Sequence, residues 1–131
     1  AGTDVPAAWR RGVSQALGNY VKAFETKNIT LLKSVWPDMA VPLETAYRER
    51  KFARSAPPLS VSVKLQRAEK QGNNQLFVVF DQTERSGQNA PRIARYNARL
   101  IKRNNSDTRQ IYERKADSTA KRKAVRRVRQ F

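Results

Sequence analysis

The chain has 131 residues, of which 39% are hydrophobic, and 27 Lys and Arg stand against 11 Asp and Glu, a formal net charge of +16. This length suits one domain with a core of its own, and the charge either attracts polyanions or only keeps the protein dispersed. Cysteine and histidine are absent, which excludes disulfides, thiolate or imidazole metal sites and histidine general bases. No apolar run approaches the ~18 residues of a membrane-spanning helix. The compartment stays open, with a cytoplasmic protein slightly favoured and a mature exported protein as the alternative.

The first predicted element is an amphipathic helix. Its large apolar side chains recur every three or four residues, the spacing of one helical face that packs on a core. Lys22, Glu25 and Lys27 fall outside this face, and we expect them to be solvated. The residues on the face are Trp9, Val13, Leu17, Tyr20 and Phe24.

Two shorter helices are predicted next. Asn28 is typical of a helix N-cap, and the helix that it begins should end before Pro37, because a residue that precedes proline is pushed out of helical geometry. A third helix is predicted from about residue 42 to residue 54.

The apolar period then changes from near 3.6 to two, which indicates β-strands. Glycine- and asparagine-rich turns separate the strands. On the third strand Tyr96, Ala98 and Leu100 should face inward, and Arg95 and Arg99 outward. The resulting class is α+β, three N-terminal helices packed on a four-stranded antiparallel meander. The strands are predicted over residues 59–66, 76–80, 93–101 and 110–115.

One stretch near the start resembles a known family. The segment LGNYVKAFETKN (17–28) and the later Val35-Trp36-Pro37 resemble the nuclear-transport-factor-2-like (SnoaL-like) superfamily of bacterial type. The element order agrees over about residues 8–115, whereas the residues themselves agree only in the first forty. The resemblance implies a cone, with the helices in the concave face of a curved sheet, a pocket at the wide end and an outer sheet face that often makes dimers.

Enzymes of this superfamily generally rest on a carboxylate or histidine inside the cone. By that resemblance the pocket candidates here are Tyr20, Tyr47 and Asp81. The simpler interpretation is that both tyrosines are core aromatics and that Asp81 pairs with a nearby arginine. The acids are scattered singly and no glycine-rich phosphate loop is present. We therefore expect a protein that is not an enzyme and has no cofactor or metal.

Basic residues are the stronger lead. Arg95, Arg99 and Arg103 share one face of the third strand by parity, and Arg109, with Arg114 and Lys115, lies on the fourth. Every fourth residue of a strand is roughly 13 Å apart, close to two phosphate steps of a single strand. No aromatic side chains are expected between them, so contact with backbone charge is favoured over base stacking. The C-terminal extension adds Lys121, Arg122, Lys123, Arg126, Arg127 and Arg129.

These patterns predict a domain over residues 1–116 and a basic extension over 117–131. The predicted function is a non-catalytic binding or assembly module that contacts a polyanion, with nucleic acid favoured over an acidic protein partner. It could be a subunit of a larger complex, and a homodimer through the sheet is compatible with it. The alternatives are a solvated sheet face with a disordered tail, a ligand-binding or enzymatic cone, and an adaptor domain of a longer envelope or kinase protein.

Overall fold

In a computed structural model, residues 5–102 and 109–117 are described, and three helices precede four strands. The predicted α+β order is confirmed. The third helix is shorter than predicted, and the first strand is longer. Predictions for Arg103, for the turn at 104–107 and for the tail residues 118–131 lie outside the described residues. The elements are α1 (Ala7–Glu25), α2 (Ile29–Val35), α3 (Val41–Glu49), β1 (Leu59–Gln71), β2 (Gln75–Ser86), β3 (Arg92–Lys102) and β4 (Arg109–Ala116).

The junction between α1 and α2 follows local chemistry. The side-chain oxygen of Asn28 accepts the Leu31 N–H at 3.0 Å, which satisfies one of the amides left free at a helix start. Lys27, with φ of 55°, reverses the chain in the left-handed region. Helix α2 ends at Val35, and Pro37 follows within two residues, as predicted.

The four strands form one antiparallel meander in the order β1-β2-β3-β4. Two irregularities interrupt its ladders. One lies in β1 between Leu65 and Arg67. The other lies opposite Arg99 and Leu100, where Glu113 and Ile111 are the partners and Tyr112 is the extra residue. Each such bulge bends its strand and shifts the alternation of side chains between the faces by one residue.

The core lies between the helices and one face of the sheet. Helix α1 contributes the stripe predicted from its spacing, and the even-numbered residues of β2 and β3 meet it. The residues of this core that are completely buried are Tyr20, Ala23, Phe24, Leu32, Leu76, Val78, Phe80, Leu100 and Ile111. We call the other side of the sheet, which faces away from the helices, the outer face.

Candidate functional site

The outer face is rich in cations on all four strands. The strand register places Lys64 beside Asp81 and Asp81 beside Arg95, and the same register places Arg99 beside Glu113. Acids are therefore interspersed with the cations but are fewer. By alternation and register the basic residues are Lys64, Arg67, Arg85, Arg95, Arg99 and Lys115, and the acidic residues are Glu69, Asp81, Glu113 and Asp117, the last lying just after β4 with its N–H bonded to the Arg95 carbonyl.

The two predicted arginines of this face are held by acids. Arg95 binds Asp81 through two hydrogen bonds, at 2.6 and 3.0 Å, and this bonding lowers the pKa of the Asp81 carboxyl. The Nε of Arg99 lies 3.3 Å from Glu113. Both arginine side chains stay two-fifths exposed or more, and exposed pairs contribute only about 0–1 kcal/mol. The single contact of Arg99 with Glu113 is therefore weak, whereas the bidentate pair of Arg95 and Asp81 has the geometry of the stronger ion pairs.

An aromatic ring lies among these cations, which corrects the expectation that the outer face has none. Phe77 lies on this face in register with Glu69 and Arg99. The guanidinium of Arg67 lies 5.5 Å from the centre of the Phe77 ring, a cation–π distance. The sequence could have predicted the outward position of Phe77, because Leu76, Val78 and Phe80 alternate with it and fill the inner face.

Two other arginines turn inward, which corrects their predicted place on the outer face. Arg109 is 5% exposed. Its guanidinium lies 4.5 Å from the centre of the Trp9 ring and donates to the Ala8 carbonyl at 3.1 Å. Arg114 faces the helices because the extra residue Tyr112 shifts the alternation of β4.

Inside the cone Arg114 organises a polar cluster. Its Nη1 donates to the Tyr20 hydroxyl at 2.7 Å, and that hydroxyl donates to Gln82 Oε1 at 2.5 Å. Within the described residues no carboxylate contacts this guanidinium. Aromatic rings surround it instead, those of Tyr96, Trp36 and Tyr47, with centres 4.2, 5.0 and 5.8 Å away.

The protonation states in this cluster follow from burial. Burial raises the pKa of Tyr20 and of Tyr47 well above the usual range, although Arg114 opposes the effect. Burial by itself would lower the pKa of Arg114, but its interactions with the tyrosines raise it. Both tyrosines are therefore neutral at neutral pH while the arginine is charged.

The three pocket candidates do not meet at one site. Tyr20 and Tyr47 both contact Arg114 in the interior, whereas Asp81 lies on the outer face against Arg95. The residue that reaches the interior from this part of β2 is Gln82, which is 3% exposed. Gln82 lies two residues after Phe80 on β2, so the alternation of the strand could have predicted from the sequence that it faces the interior.

The described ranges, 5–102 and 109–117, contain neither a metal-binding cluster nor a membrane-spanning helix. No cluster of three or more acids there could hold a metal ion. No helix in those ranges is long and apolar enough to cross a membrane.

No family model and no curated protein matches the sequence. Solved structures do match the fold. A nuclear-transport-factor-2-like protein of unknown function from Shewanella oneidensis aligns with a TM-score of 0.65 and 10% identity, covering 82% of this chain and 97% of that one. A ketosteroid isomerase-like protein from Erwinia carotovora aligns with a TM-score of 0.53 and 14% identity, covering 79% and 91%.

A third match is a nuclear-transport-factor-2-like protein involved in plasmid conjugation, with a TM-score of 0.60 and 9% identity. The alignment covers 90% of this chain but only 42% of the matched protein. Likenesses at such identities concern the fold alone. The chain has the nuclear-transport-factor-2-like fold, an α+β cone of three helices on a four-stranded antiparallel sheet, as the resemblance implied.

Proposed function

We propose that this nuclear-transport-factor-2-like domain is a non-catalytic binding module that holds a polyanion, with nucleic acid as the favoured kind. The contact would use the outer face, including Arg95 and Arg99, and the basic extension. Residues 118–131 contain six basic residues and no acidic one. Together with Arg103 they remain predicted contacts.

The excess of cations on the outer face carries this proposal. Six basic side chains stand against four acids on one continuous surface. Backbone phosphates bind chiefly through such charges, and binding releases condensed counterions. Since the Arg99–Glu113 pair is exposed and makes a single contact, it competes poorly with a phosphate chain.

The spacing of these charges favours sequence-independent contact. Arg95 and Arg99 are separated by roughly 13 Å along β3, and neighbouring strands lie about 4.8 Å apart. Cations at these spacings can contact successive backbone phosphates. Such contacts position a nucleic acid without reading its bases. The Phe77 ring adds one apolar surface for an unstacked base.

The interior supports a role without catalysis. Three polar side chains there are joined by hydrogen bonds, Arg114 to Tyr20 and Tyr20 to Gln82, while Arg114 Nε and Trp36 Nε1 have no hydrogen-bond partner among the described residues. Asp81, the carboxylate proposed from the resemblance, lies on the other side of the sheet. The described interior thus presents an arginine and neutral hydroxyls.

A salt titration of nucleic-acid binding tests the proposal. We expect fluorescein-labelled 20-mer DNA and RNA, single- and double-stranded, to bind with log K falling against log salt at a slope of about −4 to −6. Substituting Gln for Arg67, Arg99 and Lys115 should reduce the slope by roughly two to three, since each lost phosphate contact removes about 0.7–0.9. Substituting Gln for the six basic residues of 118–131 should flatten it further.

A matched control separates this surface from net charge alone. The variant Arg11→Gln with Lys22→Gln and Arg48→Gln removes three exposed cations from α1 and α3, and its slope should stay close to that of the parent protein. Equal losses in both triple variants would sink the proposal for the outer face. Absence of binding at about 50 mM salt would reject nucleic acid and leave an acidic protein as partner.

A further inference from the structure

A cleft of about 480 Å³ opens at the end of the sheet where β2 turns into β3. One wall is the segment that follows α3, and the other is the β2–β3 hairpin. Glu84 and Arg92 are partners in the ladder there, on the helix side of the sheet, so the cleft is separate from the outer face. Its lining comprises Arg50, Lys51, Ala56, Pro57, Leu59, Glu84, Ser86, Asn89, Ala90 and Arg92.

The cleft has surplus positive charge. Lys51 contacts both carboxylate oxygens of Glu84, at 3.0 and 2.8 Å. Arg50 and Arg92 are exposed, and in the described ranges neither has a carboxylate partner. Three cations thus stand against one acid, with an arginine on each wall. Arginine presents a planar set of donors that matches a carboxylate or phosphate.

Apart from the uncharged polar residues Ser86 and Asn89, the rest of the lining is apolar. Ala56, Pro57, Leu59 and Ala90 supply hydrocarbon surface beside the arginines. A volume of this size lies within the range of small-molecule sites, which combine an apolar lining with a few convergent polar groups.

The walls are held in place before any ligand arrives. The ammonium of Lys27 donates to the carbonyls of Ala53 and Ala56, which ties the segment after α3 to the end of α1. The Gly87 N–H donates to the Pro58 carbonyl at 2.8 Å and joins the hairpin to the same segment. A site with fixed walls loses little conformational freedom when it binds.

We propose that this cleft binds a small molecule that carries one oxyanion, a carboxylate or a phosphate, on a short apolar group. Arg50 and Arg92 hold the oxyanion from opposite walls, and the apolar group lies against Pro57, Leu59 and Ala90. The proposal does not depend on polyanion binding, since the two surfaces are on different sides of the sheet.

Titrations followed by ¹H–¹⁵N NMR test it on the full chain. The probes are hexanoate and phenylphosphate, with acetate and inorganic phosphate as the matching ions that lack the larger apolar group. We expect saturable shifts at the amides of Ala56, Leu59 and Ala90. The probes with the larger group should bind roughly tenfold more tightly, because burying about two methylene equivalents gives that factor. The tighter of the two identifies the oxyanion as carboxylate or phosphate.

Variants decide whether the cleft is responsible. Arg50→Gln with Arg92→Gln should weaken binding of the better probe at least tenfold, while Arg11→Gln with Lys22→Gln, which removes the same charge elsewhere, should leave it unchanged. Three results would overturn the proposal: no saturable shift up to 20 mM probe, equal weakening in both double variants, or shifts at these amides with the 20-mer nucleic acids but not with either probe.

Discussion

The least expected residue is Arg114, a guanidinium buried among aromatic rings in the cone. A buried charge without a carboxylate is costly. Here the Tyr20 hydroxyl accepts one N–H of Arg114 at 2.7 Å. Cation–π attraction to the rings of Trp36 and Tyr96 offsets a further part of the free-energy cost of burying the charge. Tyr20 therefore connects a charged donor to the Gln82 amide.

Removing the Tyr20 hydroxyl should destabilise the fold. Tyr20→Phe leaves Gln82 Oε1 and one N–H of Arg114 without a partner, and each buried unsatisfied group costs about 1–3 kcal/mol. Urea unfolding at pH 7 should show a loss within or above that range. Tyr112→Phe is the control, since Tyr112 is 45% exposed and should change stability by less than about 0.5 kcal/mol.

The difference in stability between the parent protein and Tyr20→Phe should depend on pH. The folded-state pKa of Tyr20 is raised above its usual value of 10.0 by burial, so the stability from its neutral form is complete below that value and is lost as pH rises beyond it. Tyr20→Phe lacks this titration, and the stability gap to the parent protein should narrow above about pH 10. A gap that stays constant from pH 7 to pH 11 would contradict this account of the hydroxyl.

At the scale of elements, two connections position both candidate sites. The bulge at Tyr112 turns Arg114 inward and leaves Glu113 outward against Arg99. Lys27, which the sequence pattern placed in solvent, is partly buried and holds the segment after α3 through two carbonyls. Its positive φ lets the chain leave α1 and enter α2 within three residues.

Two glycines should respond to alanine in opposite directions. Gly18 lies within α1 with open space around the position of a Cβ, so Gly18→Ala should stabilise the protein by about 0.5–1 kcal/mol. Gly87 has φ of 58°, and a Cβ there would meet Pro57 at 3.1 Å; Gly87→Ala should cost about 1–2 kcal/mol. Thermal unfolding of both variants measures the difference, and a shift of the same sign in both would refute this assignment of the hairpin turn.

For the whole molecule the net charge of +16 dominates. Self-repulsion of this size opposes the compact state, whereas the exposed ion pairs return only about 0–1 kcal/mol each. Salt screens both the repulsion among the excess positive charges and the attraction within the ion pairs. The total repulsion is the larger of the two, because it acts over the whole surface.

Stability should therefore rise with ionic strength. We expect the midpoint of thermal unfolding to increase as NaCl is raised from 10 to 300 mM. The increase should be smaller in the variant that has Gln in place of the six basic residues of 118–131. A midpoint that falls with salt in the parent protein would mean that the ion pairs of the sheet outweigh the repulsion.

The sequence by itself determined the class of fold and much of the outer face. The stripe of α1, the Asn28 cap and the change of period to two depend on residues a few positions apart, so local spacing reveals them. The same alternation placed Arg95 and Arg99 outward on β3. On β4 the prediction that grouped Arg109 and Arg114 with Lys115 was wrong, because neighbouring residues of a strand face opposite sides and the bulge at Tyr112 shifts the alternation between Arg109 and Arg114.

Only the tertiary structure decided which charges meet. Asp81 lies against Arg95 from a neighbouring strand, 14 positions along the chain, and Arg114 reaches Tyr20 across 94 positions. Lys27 binds carbonyls that are 26 and 29 positions away. The cleft between Arg50 and Arg92 exists because the hairpin packs on Pro57 and Pro58. Contacts over such separations depend on the curvature of the sheet and on how the helices pack against it, and no local pattern encodes either one.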